Sequence, residues 1–177
     1  MVDFHENIKQ QIEPFLAHIS GSLLASLVVI KGLPGSAELA GAPPFSGADG
    51  LALDKAFGRL GWGFGSLDTR MWFGLALFSP DQPTLTPQEL RFICELIDPL
   101  LIVTLDDPAR LALIDAFISE EEAYMADFTP GAENWVLGRH LVSVDGFEAA
   151  LEDEALKQRA WAQLKRCTNK ALNQTSR

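Results

Sequence analysis

Two largely apolar runs constrain this chain more than any other feature: Leu23 to Ile30, broken only by Ser26, and Leu100-Leu101-Ile102-Val103-Thr104-Leu105. A strand with one wet face alternates polar and apolar residues. A strand covered on both faces reads as a continuous apolar run, as in a parallel sheet between helices. Segments of helical character separate these runs. Leu51 to Leu60 carries Leu51, Leu53, Phe57 and Leu60 on one side and is followed by Gly61. Thr86-Pro87-Gln88-Glu89 is a capping box with proline at the first helical position, opening a helix through Ile97. Asp107-Pro108 opens another helix, with Leu111, Leu113, Ile114 and Phe117 apolar, and Phe147 to Leu172 supplies one or two closing helices. Further strands are expected over Arg70 to Phe78 and over Trp135 to Val144. An opening amphipathic helix is expected over residues 5–20, kinked or restarted at Pro14. The sequence therefore predicts one α/β domain over residues 1–177, a three-layer α/β/α arrangement around a central, mainly parallel sheet.

Composition narrows the function classes. The longest apolar run is too short to span a bilayer, and the N-terminus shows no secretion signal. The two cysteines, Cys94 and Cys167, match no metal spacing and read as reduced thiols, so a cytoplasmic protein with no metal and no cofactor is expected. All 24 acidic residues and 8 of the 14 basic ones precede Lys157, a local net charge of −16. The stretch 157–177 holds the other six basic residues and no acid. An acidic body repels phosphate backbones, which argues against strong binding of duplex DNA. The basic tail reads either as a nucleic-acid contact or as cations favoured at the C-terminal end of a helix. No Gly-x-Ser-x-Gly elbow and no phosphate-loop Gly-Lys-Ser/Thr ending occurs.

In a covered parallel sheet the ligand site lies beyond the carboxyl ends of the strands. The segment after Ile30 is dense in turn-forming residues: Gly32, Pro34, Gly35, Gly41, Pro43, Pro44, Gly47 and Gly50. Val28-Val29-Ile30-Lys31-Gly32-Leu33-Pro34-Gly35-Ser36-Ala37-Glu38, followed by Pro44-Phe45-Ser46-Gly47 and Leu51-Ala52-Leu53-Asp54, resembles the opening motif of the uracil-DNA glycosylase superfamily. The nearest type is the iron–sulfur one. Ile97 to Leu105, and Leu151 to Lys157 with Trp161 to Lys165, resemble later blocks of the same family, so the similarity spans roughly residues 23–166.

The resemblance implies a flipped base stacked on an aromatic ring, read by an amide, and cleaved with help from a carboxylate and a histidine. The stacking ring falls on Phe45. The catalytic carboxylate falls on Gly32, or on Leu33 in other branches. The base-reading asparagine falls near Gly74, and the histidine of a His-Pro-Ser motif falls on Gly146, giving Gly146-Phe147-Glu148. The four cluster cysteines are also lacking. One of the four roles survives, which implies loss of glycosylase chemistry by the family's route.

A ligand site is accordingly expected at Gly32, Leu33, Pro34, Gly35, Phe45, Gly47, Gly74 and Gly146. Its occupant would be a nucleobase, a nucleotide or nucleic acid, with a protein partner or self-association as the other roles open to the domain. Candidates for a substitute catalyst are Glu38, Asp49 and His140; the two acids also read as helix N-terminal residues favoured by the dipole. Asp106-Asp107 reads as a pair able to bind a cation or, more simply, as a helix cap.

Overall fold

Val28 and Val29 point to opposite sides of one strand, and neither exposes any surface. That is what a continuous apolar run requires. The computed structural model describes residues 4–62, 70–118 and 128–174. In chain order the elements are α1 (Phe4–Ile12), a 3-10 turn (Glu13–His18), β1 (Ile19–Gly21), β2 (Leu27–Lys31), α2 (Ser36–Leu39) and α3 (Ala48–Leu60). They continue with β3 (Phe73–Ala76), α4 (Pro87–Ile97), β4 (Leu101–Thr104) and α5 (Asp107–Phe117). The chain closes with β5 (Glu133–Val136), β6 (Arg139–Ser143), α6 (Phe147–Ala150) and α7 (Glu154–Gln174).

The six strands form one sheet in the order β1-β3-β2-β4-β6-β5. The inner four are parallel, with Val28 opposite Phe73, Val29 opposite Val103 and Ile102 opposite Leu141. The outer two, β1 and β5, run antiparallel to their neighbours. Because side chains alternate along a strand, the sheet feeds two cores. Val28, Ile30, Phe73, Leu75 and Ile102 pack with Ile12 of α1, Leu90 and Ile93 of α4 and Leu113 of α5. Leu27, Val29, Leu101, Val103 and Val142 pack with Leu53 and Phe57 of α3, Ala150 of α6 and Leu164 of α7. Helices therefore cover both faces.

Several boundaries differ from expectation, each for a local reason. The opening helix stops at Ile12, because Pro14 cannot donate into a helical ladder. A tighter turn follows, and Ile19–Gly21, read as the end of a helix, pairs with β3 as an edge strand. The first apolar run enters the sheet only at Leu27; Leu24 ahead of it is 65% exposed. The strand expected over Arg70 to Phe78 is confined to Phe73–Ala76. Trp135 to Val144 is a hairpin and not one strand, turning at Leu137 and Gly138, both with positive φ. The capping box forms as read: Thr86 Oγ1 accepts from the Glu89 amide, and the Thr86 amide donates to Glu89 Oε2 at 2.8 Å. The Thr86 amide, and then the Thr86 hydroxyl donating to the same oxygen at 2.8 Å, hold the Glu89 carboxyl below the usual carboxylate range. No helix among the described residues is long and apolar enough to cross a membrane.

Candidate functional site

From β2 the parallel strands extend both ways: β3 lies on one side and β4 on the other. Such a reversal opens a crevice at the carboxyl ends of the diverging strands. Here that position falls between the loop after Lys31 and the loop after Thr104, and Asp106 bridges the two loops. Its carboxylate accepts from the amides of Gly32 and Leu33 at 3.0 Å and from Ala109 at 2.9 Å, so it caps α5 and ties down the first loop together. A Cβ on Gly32 would stand 2.5 Å from Pro108 Cβ and 2.8 Å from the Ala109 amide nitrogen. The position matched to the family's carboxylate thus has neither a side chain nor room for one. Leu33, the alternative position, turns outward at 58% exposure, and Pro34 is half-buried.

Beside this bridge lies a charged cluster that the sequence reading missed. Lys31 ends β2 and is only 3% exposed, although it is a lysine. Its ammonium pairs with Glu38 on α2 and with Asp49 in the first turn of α3, and it sits 4.5 Å above the centre of the Phe45 ring. Burial of a charge is tolerable only with such partners. Glu38 in turn accepts from the Gly35 amide at 2.6 Å and the Phe45 amide at 2.8 Å. Two expected catalyst candidates, Glu38 and Asp49, are therefore brought together as counter-ions of one lysine. Gly47 starts α3 on the same loop, its Cβ position 3.0 Å from Ala37 Cβ.

Phe45 is the wedge around which the loop closes. Its backbone is left-handed, with φ 58°, and its ring has no exposed surface. The ring meets Trp72 edge-on, with centroids 5.3 Å apart. Trp72 is anchored through Nε1, which donates to Asp54 at 2.8 Å. A Cβ on Gly74 would lie 2.6 Å from Phe45 Cδ2. Thus the expected stacking ring occupies the space that a side chain at the base-reading position would need.

Gly146, with φ 54°, begins the short helix α6, and Phe147 is buried in the second core. Glu148 reaches over the loop: its Oε1 is 2.8 Å from where a Cβ of Gly35 would be. Glu148 is exposed as a residue; partial desolvation of its carboxyl, then the nearby Asp49 and Glu38 carboxylates, shift it upward from the usual range, with Lys31 acting in the opposite sense. His140 does not join this group. It is buried in β6 opposite Leu101, the first residue of β4, with Trp135 edge-on at 4.2 Å. From there to the carboxyl end of β4 is three residues, about 10 Å of strand.

Lys31 and Glu148 did not stand out in the sequence as site residues, whereas Asp106, expected as a helix cap, is one. Lys31 had one usable signal, a cation closing an apolar run just ahead of a glycine-rich turn and two acids. The loop amides of the arrangement are already engaged by Asp106 and Glu38. Among the described residues, no group of three or more histidine, cysteine, aspartate or glutamate side chains is placed to hold a metal ion. Compared with known proteins, the chain matches no family model and no curated protein.

Proposed function

We propose that this chain is a uracil-DNA glycosylase-like protein whose base pocket is filled by its own side chains, and that it acts by binding and not by glycosidic hydrolysis. The observation that carries this reading is the Phe45 ring, fully buried beneath the Lys31 ammonium and against Gly74. A stacking platform must offer a face to the base, and this one offers none. Two further features support it. The loop amides that would meet a ligand already donate to Asp106 and Glu38, and the body of the chain carries a charge that repels DNA. The strand–loop–helix path of residues 27–60 agrees with the Pro34-Gly35 and Pro44-Phe45-Ser46-Gly47 motif match.

Incubation with uracil-containing single- and double-stranded oligonucleotides should release no base above the buffer control, before or after Phe45→Ala. Uracil release that Phe45→Ala abolishes would overturn the proposal. One observation favours a second reading, a hydrolase with a substituted catalyst: the Glu148 carboxyl, shifted upward from the usual range, lies beside Gly35 of the loop. Under that reading any N-glycosidic hydrolysis detected on nucleoside or oligonucleotide substrates is lost in Glu148→Gln.

A further inference from the structure

Charge changes sign along α7. Glu152, Asp153 and Glu154 stand at its start with no Lys or Arg beside them, whereas residues 157–177 hold six Lys/Arg and no acid. The helix dipole favours cations only within the last turn, and here the basic stretch begins one turn in. Successive side chains on a helix are turned by about 100°, so Ala155, Gln158 and Ala162 form one line along α7, and all three are exposed. That line is uncharged and shallow enough for another helix to approach closely. Exposed Glu154 and Lys165 flank it on one side, and exposed Arg159 and Arg166 on the other. Glu152, just ahead of the helix, continues the second side. Arg159 is engaged by Asp145 at 3.3 Å, and Glu154 meets Lys157 at 3.3 Å. Glu152 and Arg166 have no ion-pair partner among the described residues.

We propose that the outer face of α7 pairs antiparallel with α7 of a second copy of this chain. The argument is self-complementarity, which a two-fold interface requires. An axis passing between Gln158 and Ala162 sets Gln158 of one copy opposite Ala162 of the other. It also brings the acidic start of each helix level with Arg166 of its partner, about 18 Å along the axis from Glu154. Under this symmetry each side of one helix meets the same side of the other. Glu154 therefore faces Lys165 on one side, Glu152 faces Arg166 on the other, and each contact occurs twice. Arg159 lies near the axis with its charge balanced by its own Asp145. A parallel pairing sets acid against acid and base against base, which charge excludes. Exposed pairs are individually weak, so the association is weak and salt-sensitive. It uses none of the residues around Phe45 and stands whichever reading of that pocket holds.

Analytical ultracentrifugation of the full chain tests this. At about 50 mM salt the protein should form a dimer, and its dissociation constant should rise about tenfold or more at about 500 mM. The pair Lys165→Glu with Arg166→Glu should give a monomer, and so should Glu152→Lys with Glu154→Lys, both with an unchanged near-ultraviolet circular dichroism spectrum. Mixing these two monomers should give a heterodimer, because both kinds of contact are restored with the signs exchanged. One chain carrying all four changes should dimerise again. A wild type that stays monomeric at low salt, or two variants that do not associate when mixed, overturns the pairing. A monomer that instead holds a labelled single-stranded oligonucleotide, and releases it in Lys165→Glu with Arg166→Glu, overturns it too and assigns the face to nucleic acid.

Discussion

Replacing Lys31 with methionine tests whether the charged cluster holds the loop. The substitution keeps the length of the side chain and most of its apolar stem but deletes the ammonium. Side chains of Lys31, Glu38 and Asp49 are 4%, 7% and 5% exposed, so water does not replace the lost partner. Removing one member of a buried ion pair costs about 3–5 kcal/mol, because the remaining charge stays desolvated and unpaired. Here two carboxylates are left, and the contact with the Phe45 ring disappears as well. Domains of this kind are stable by about 5–15 kcal/mol in all, so the variant should unfold at far lower urea. Its midpoint temperature should fall by about 6–20 °C, at about 2–4 °C per kcal/mol for a chain of this size. Chemical denaturation of wild type and Lys31→Met gives the free-energy difference directly. Adding Asp49→Asn to Lys31→Met should recover part of the loss, since one of the two stranded charges is removed. Lys9→Met is the control: Lys9 faces Glu6 at 3.8 Å with both side chains more than half exposed, and such a pair is worth under about 1 kcal/mol. If Lys31→Met costs no more than Lys9→Met, the cluster is not what secures the loop.

Three other outcomes follow from the geometry. Gly32→Glu should confer no uracil release and should lower stability by about 1–3 kcal/mol in urea titration, because the new side chain starts inside Pro108. Asp106→Ala should cost about 1–3 kcal/mol by the same measurement, since α5 loses its cap and two loop amides lose their acceptor, whereas Asp106→Asn should cost less. Burial pushes the Cys94 thiol up to about 12; at pH 8 its alkylation, followed by peptide mass mapping, should proceed only as fast as the protein unfolds.

The parts of the fold legible in the sequence were those set by local pattern. β2 and β4 announce themselves as apolar runs, and α4 by Thr86, Pro87 and Glu89 within one turn. β1 did not, because three residues are too few to show a period of two, and Ile19 also fits the helical spacing of the residues before it. The hairpin was hidden by its turn. Leu137 adopts φ 48° where an asparagine or glycine would have signalled the bend. At the site, loop composition drew attention to the segment after Ile30, and Glu38 and Asp49 stood out as acids near it; the structure buries both against Lys31. Lys31 itself did not stand out. A lysine in sequence reads as a wet residue, and only the fold reveals that acids 7 and 18 positions further on enclose it. Glu148 was seen only as a residue standing where another motif belonged, because its neighbour Gly35 lies more than a hundred positions away.

The contact of Gly32 with Pro108 couples two sites that no sequence motif connects. The first atom of any side chain at position 32 lies 2.5 Å from Pro108 Cβ, so a larger residue there must displace the proline. Pro108 is in turn suited to the first turn of α5. A substitution at either position is therefore felt at the other, although the two stand 76 positions apart in the chain.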